Sequence, residues 1–510
     1  MLDDVELGAA RRLLIESGGA LAFRHDLIRV ALAESATAGR QALLHRAVAH
    51  LLHSRTDADP IEVAHHARLG GDTALAARSL RAAAVRAAEQ FDHATAEGLL
   101  DDALRLHPDA DGWLDRARMR TRRGRYAEAY EDVARCSGAA ALEVGAWASY
   151  FDRRFDQALR FAQDGELAAD DPGVRARCLT VGGRTYHAAG DLESADQQLG
   201  SAIELAAGAD RIVASAWLGV LRAHQSRMTE ALRLLRPITR YTGVEHTSAL
   251  LHALLFTGHA HALAGHPQAA LAAFEQYTAE VERRQVPRFA GRGVNFAGWV
   301  LRSTGAIAQG VDLHLAALQA ADHGGIPEVR IAALEDLAEA RLMAGDPDGA
   351  AALLGEARSA LNGDLVFGWR LEFKLRLLQG RLALDTGLPH QAADIAEALD
   401  ADATRLGVPR YASVARLLGH RARARQGLPI DPAEVESALD LLDSCVALES
   451  WWWTGETAAD LGSGLLLARA EHRVAQLARE IGSRATELHR DADRRLKHWR
   501  KMISAPPARE

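Results

Sequence analysis

The chain has 510 residues, of which 48% are hydrophobic but only 5% aromatic, with a formal net charge of −8. That length exceeds one compact core and calls for several domains or a solenoid whose core grows lengthwise, and a core made largely of Ala, Leu and Val suits close helix packing rather than a large sheet. The acidic balance excludes a general pull toward nucleic acid or anionic lipid, and Cys136, Cys178 and Cys445, lacking any CxxC spacing, read as reduced packing residues of a cytosolic protein.

Asp3, Asp4 and Glu6 stand where a signal peptide needs basic and then apolar residues, and no run approaches 18 uncharged apolar residues, so we expect a soluble cytoplasmic protein. Residues 1–60 differ in texture from the rest. The pattern predicts a helix ending at Leu13–Gly19, a short strand at Ala20–Phe23, a helix beginning at Arg24, and another over Arg40–His53. Pro60 then opens the next helix at a favoured first-turn position.

The stretch Phe23-Arg24-His25-Asp26-Leu27-Ile28-Arg29, the following Leu44-His45-Arg46 helix, Ile61-Glu62-Val63-Ala64-His65-His66-Ala67 and Gly71-Asp72 resemble the junction behind the ATP-binding domain of LuxR-type, maltose-regulator-like transcriptional regulators. The resemblance is most specific over residues 20–105. It implies a winged-helix-like junction piece over 1–60, a tetratricopeptide-like sensor region over 61–460 and, in that family, an ATPase before them and a helix-turn-helix after. Neither of the latter two is seen. The three lysines, Lys374, Lys497 and Lys501, follow no Gly-rich phosphate loop, and residues 461–510 read as a capping helix or helix pair and a frayed tail.

From Gly71 onward a spacing recurs. Three stretches carry a small residue, a Gly seven on and a small residue five further: Gly258–Gly265–Ala270, Gly298–Gly305–Gly310 and Ala338–Gly345–Ala350. Their central glycines are 40 apart both times (305 − 265 and 345 − 305). Extended along the chain, the central marker falls at Gly71, Phe91, Gly124, Arg153, Gly190, Ser226, Gly265, Gly305, Gly345, Gly387 and Gly427. The pattern resembles the tetratricopeptide consensus, with a longer period that implies longer helices or connections. Helices that touch at the small positions form hairpins, so the fold class is an all-α, tetratricopeptide-like right-handed superhelix with a small N-terminal winged-helix-like piece.

Enzyme motifs such as HExxH, GxSxG and the complete dinucleotide fingerprint do not occur, so we expect no enzyme and no cofactor. The histidines His252, His259, His261 and His266 read as ordinary surface histidines rather than a metal site. The basic run Arg484, Arg490, Arg494, Arg495, Lys497, Arg500 and Lys501 is interleaved with Glu487, Asp491 and Asp493 and reads as a solvated helix. Trp451-Trp452-Trp453 cannot all face one side of a helix, so at least one is expected at the surface or in a loop, packed in an end cap or offered to a partner.

The repeats themselves sort the remaining side chains. In such stacks the first helix of each hairpin lines the groove, and its inner positions recur one and two turns before the marker. Six residues before it stand Arg184, Val220, His259, Trp299, Glu339, Arg381 and Arg421. Thirteen before it stand Arg177, Val213, His252, Arg292, Ala332, Lys374 and Val414, on the same face because the offset is seven; ten before, Thr180, Asn295 and Glu335 add polar groups. Cations outnumber acids on this face. The hypothesis is a groove that takes an anionic or acidic protein or small-molecule effector, with no direct nucleic-acid or membrane contact and self-association left open; the bland reading is that these arginines pair with neighbouring acids. Two functional classes follow: the sensor and interaction arm of a LuxR-type regulator, or a free-standing scaffold without a transcriptional role.

Overall fold

The computed structural model describes residues 2–17, 20–241, 243–482 and 485–504; Met1, Gly18, Gly19, Thr242, Ser483, Arg484 and the tail 505–510 lie outside them. The described residues form 27 α-helices and one two-stranded hairpin. They divide into two compact units, Met1–Arg120 and Thr121–Glu510.

In the first unit, helix Leu2–Ala10 precedes antiparallel strands Leu14–Ser17 and Ala20–Phe23. The strand at Ala20–Phe23 is as expected, but Leu14–Ser17 is a strand where a helix end is expected. Four residues with β-branched Ile15 at their centre are too few for a stable helix, and register pairing of Ile15 with Ala22 supplies the ladder instead. Helices Asp26–Ser35, Ala38–His53, Pro60–Leu69, Thr73–Glu89 and His93–Leu106 follow. Asp59 caps Pro60–Leu69 by accepting from the Ile61 amide at 3.1 Å, while Pro60 gives up an amide that had no partner to lose. A small core of Ala49, Val63, Ala67, Leu75 and Ala76 joins three of these helices.

The second unit is a run of helical hairpins. Inner helices Pro172–Ala189, Gly208–His224, Thr247–Leu263, Arg292–Ser303, Pro327–Met343, Gly368–Asp385 and Pro409–Arg425 alternate with outer helices, from Leu192–Leu205 to Pro432–Cys445. Every marker residue from Gly71 to Gly427, including Phe91, Arg153 and Ser226, has a positive φ. These residues terminate the first helix of a pair in the left-handed conformation, which explains why most are glycine. The small residues five further on, Ala76, Ala96, Ala129, Ala158, Ala195, Ala231, Ala270, Ala350 and Ala392, are all 0% exposed. The glycines seven before the marker are fixed by close approach: a Cβ on Gly258 would lie 2.4 Å from the Phe274 ring, and one on Gly183 would lie 2.8 Å from Leu199. The long period has two sources, outer helices such as Pro267–Arg283 of 17 residues and added turns such as Pro287–Phe289.

Successive turns of this unit touch each other. The Phe367 amide donates to the Ala188 carbonyl at 3.1 Å and the Trp369 indole to the His187 carbonyl at 3.2 Å. Further along, the Ala447 amide donates to Leu263 at 2.9 Å, and the Gln268 side chain to the Ile481 carbonyl at 2.7 Å. The closing helices Ser450–Leu461, Gly464–Ile481 and Thr486–Ser504 therefore pack against the middle hairpins as well as capping the end. Contrary to expectation, Trp451, Trp452 and Trp453 are all buried, at 2, 4 and 1% exposure. Helix Ser450–Leu461 is enclosed on every side: Trp499 lies against Trp451 at 6.1 Å and Arg381 sits 4.0 Å above the Trp452 ring. In the last helix Arg494 and Arg495 pair with Asp491, Lys497 with Asp493, and Arg500 with Glu471.

Candidate functional site

The inner helices bring most of the sequence-predicted residues onto one buried, polar face, and they fall into two electrostatic regions. Toward the C-terminal half, cations and acids alternate from one inner helix to the next. Arg302 donates to Asp336 at 3.1 Å and Glu339 at 2.7 Å; Lys374 reaches Asp336 at 2.6 Å; Arg381 reaches Glu339 at 3.1 Å and Glu456 at 3.4 Å. Arg421 continues the ladder to Glu456 and, at 2.7 Å, Asp460, which also takes Arg425 at 2.9 Å. Burial opposes ionisation of Asp336, but Lys374, His314 and Arg302 outweigh it and hold the carboxyl below its ordinary range. Asn295 bridges the ladder, donating to Asp336 at 2.8 Å while its carbonyl oxygen accepts from His314 Nδ1 at 2.8 Å.

Across the groove, the Trp299 indole donates to Glu449 at 2.6 Å, and Arg410 reaches the same carboxylate at 3.4 Å while covering the Trp299 ring at 5.2 Å. His252 and His259 are buried rather than at the surface as expected, because the inner face is covered by later helices. His259 meets Arg410 through Nε2 at 3.3 Å, and burial holds its pKa well below the ordinary value. Arg177 lies at the rim, paired with Asp210 at 3.1 Å.

Toward the N-terminal half, Arg184 and Arg288 meet no carboxylate among the described residues. Arg184 is 0% exposed, with its guanidinium 4.4 Å from the Trp217 ring, 4.5 Å from Phe367 and 5.4 Å from Tyr150. Its Nη2 donates to His252 Nε2 at 3.1 Å. The direction is fixed because His252 Nδ1 lies 2.8 Å from the Ser248 carbonyl, which can only accept. Nε and Nη1 of Arg184 have no hydrogen-bond partner. An unpaired buried guanidinium costs several kcal/mol, which stacked rings offset by about 2 kcal/mol or more each at best. Arg288, also desolvated, lies 4.2 Å over Phe151 and donates to the Thr121 carbonyl at 2.9 Å; Arg292 donates to the Arg288 carbonyl at 2.6 Å and meets Glu328 only at 3.7 Å. A cavity of about 50 Å³ opens between His252, Arg292, Asn295, Phe296, Phe367 and Arg370.

Glu335 stands one helical turn from Ala332, which also lines the cavity. It is 0% exposed and neither oxygen has a partner. Burial raises its pKa to about 8 against the opposing pull of Lys374 and Arg370, so at neutral pH it is protonated and contributes little counter-charge.

The sequence reading misses Arg288, Glu328, Arg370 and Arg410, although a signal exists. The seven-residue step from the ten-before positions continues to seventeen before the marker, and 305 − 17, 345 − 17, 387 − 17 and 427 − 17 give these four residues. Phe367 has no such signal. Its positive φ of 61° lets the chain turn into helix Gly368–Asp385 and lays the ring on Arg184.

Fold and inner face together define a tetratricopeptide-like helical-repeat protein whose inner helices bury a polar face. No family model and no curated protein matches the chain. Among solved structures, it is similar to a Rap protein complexed with competence and sporulation factor, at 13% identity over 72% of this chain and 98% of that one, with a TM-score of 0.47. It is also similar to a human IFIT1 dimer with m7Gppp-AAAA, at 12% identity over 80% and 94% and a TM-score of 0.41, and to the Cut9–Hcn1 hetero-tetramer of APC/C, at 12% over 82% and 96% and a TM-score of 0.30. No helix among the described residues is long and apolar enough to cross a membrane.

Proposed function

We propose that the chain is a helical-repeat binding module that receives a protein segment or small effector on its inner face, at the cavity beside Arg292, Asn295 and Arg370. The observation that carries the reading is the contrast within one face. Each cation of the ladder from Arg302 to Arg425 reaches a carboxylate, whereas beside the cavity Arg184 reaches none among the described residues and neither oxygen of Glu335 has a partner. Of the predicted groove residues, Arg184, His252, Arg292, Asn295 and Glu335 belong to this binding region. Arg177, His259, Trp299, Glu339, Lys374, Arg381 and Arg421 shape and rigidify the groove around it.

The likeness of residues 20–105 to the junction of LuxR-type regulators supports the finer reading that the module is the sensor and interaction arm of such a regulator, acting on an ATPase or transcription partner in the cytoplasm. A peptide-display selection against the full chain tests the binding face. Selected binders lose affinity at least tenfold when Ala332→Leu fills the cavity and keep it when Leu315→Ser alters an exposed outer position. Binders indifferent to Ala332→Leu refute the inner-face reading.

A further inference from the structure

The unmatched region carries a more specific statement about ligand chemistry. Arg184 stands directly behind His252 and Phe367, both of which line the cavity, with two of its three guanidinium nitrogens unpartnered. Arg370 reaches the cavity from the opposite inner helix, 5.8 Å from the Phe296 ring, and no carboxylate pairs with its side chain among the described residues. Arg292 forms a third side, and the single acid there, Glu328, is shared with Arg153 at 3.5 Å and the Val366 amide at 3.3 Å. In the ladder toward the C-terminal half each buried cation reaches a carboxylate, whereas Arg184 and Arg370 reach none among the described residues. Guanidinium groups present paired N–H donors that match two oxygens of one carboxylate or phosphoryl group. The aromatic wall of Phe256, Phe296 and Phe367 accepts an apolar or aromatic body attached to it. The cavity's volume of about 50 Å³ suits one compact acid group rather than a polyanion.

We infer that the cavity bounded by His252, Arg292, Phe367 and Arg370, with Arg184 behind it, is a binding site for a single compact oxyanion, a carboxylate or phosphoryl group borne by the ligand. This inference rests on the inner-face binding reading and names the chemistry of its central contact. The test measures thermal unfolding of the full chain in potassium chloride and, at matched ionic strength, in inorganic phosphate, N-acetylphenylalanine or N-acetylphenylalanine amide.

The expected result is a dose-dependent rise in Tm with phosphate, with N-acetylphenylalanine, or with both, and none with the amide. A rise with phosphate alone assigns a phosphoryl group, and a rise with the free acid alone assigns a carboxylate attached to an apolar body. Arg184→Met is expected to unfold no earlier than wild type in chloride, because it removes a buried charge the fold does not pair, and to weaken oxyanion affinity at least tenfold. Arg370→Gln, at a half-buried position without an ion pair, keeps the chloride Tm and weakens the same affinity severalfold, and it decides the matter should the Arg184 variant not fold. Two results overturn the inference: oxyanions that stabilise no more than chloride or the amide, or an oxyanion effect that both variants leave intact. If oxyanions have no effect while display-selected binders are still lost in Ala332→Leu, the inner-face reading stands and only the oxyanion assignment fails.

Discussion

Glu335 and Asp336 are neighbours on helix Pro327–Met343, both buried, and the structure drives their titrations in opposite directions. Glu335→Gln isolates the first. The glutamine is nearly isosteric with the protonated acid, so it reproduces the form that the fold favours and removes only the ability to ionise. Burial raises the Glu335 pKa from an ordinary 4.5 to about 8. A carboxyl raised in the folded state gives stability that is fully present below 4.5 and is lost as pH climbs through 8, because the unfolded chain releases the proton first. At 1.36 kcal/mol per unit, the loss amounts to roughly 4 to 5 kcal/mol once pH exceeds 8. The two proteins should therefore agree within about 1 kcal/mol at pH 5. The glutamine variant should then gain on wild type by up to about 1.4 kcal/mol per pH unit up to pH 8, and remain ahead at pH 9. Urea unfolding of the full chain at pH 5, 7 and 9 reads this directly. A gap independent of pH refutes the argument, since it would mean that Lys374 or Arg370 keeps Glu335 ionised throughout.

Asp336→Asn should behave in the opposite sense. Its carboxyl is held low, so its contribution is complete above the ordinary 3.8 and disappears only as strong acid protonates the folded state. Removing it strips Lys374 and Arg302 of a shared partner, and urea unfolding at pH 7 should show a loss of about 3 to 5 kcal/mol. Gly258→Ala places a methyl on the buried Phe274 ring and should cost about 1 to 3 kcal/mol, whereas Gly200→Ala, with nothing within 4 Å of the new carbon, should gain about 0.5 to 1 kcal/mol in the same denaturation assay. Glu449→Gln removes the charge from the acceptor of the Trp299 indole and should cost about 1.5 to 3 kcal/mol. The accompanying shift in tryptophan emission should be absent from a Trp299→Phe background, which separates this contact from the other indoles.

Much of the fold is legible in the sequence because its repeat imposes local requirements. A residue that must turn left-handed, or that must let a neighbouring helix approach, leaves a small side chain at a fixed interval. The marker therefore identifies even Phe91, Arg153 and Ser226, where the backbone takes the left-handed turn without glycine. The same ruler places Arg184, His252, Asn295 and Glu335 on one face, since helical periodicity alone decides which side chains point inward. What the ruler does not convey is whether an inward charge finds a partner. Arg381 and Arg184 occupy the same register position, yet one meets Glu339 and Glu456 while the other meets only rings and a histidine.

That difference originates in contacts the repeat does not encode. Phe367, which covers Arg184, comes from a connection 179 residues later (367 − 188 at its hydrogen bond), and Glu449, which holds Trp299, comes from 150 residues later (449 − 299). Both separations join one turn of the superhelix to the next, so they depend on how each hairpin is rotated against its neighbour, a quantity summed over several interfaces and written in no single motif. The consequence for function is specific. The C-terminal half of the inner face is closed by its own later turns, which supply Glu449, Glu456 and Asp460 to the cations there. At the earlier turn the facing connection and the start of helix Gly368–Asp385 supply Val366, Phe367 and Trp369, which bring apolar and aromatic surface but no carboxylate. The same winding that completes one half of the groove thus leaves Arg184 and Arg370 in the other half without a carboxylate among the described residues.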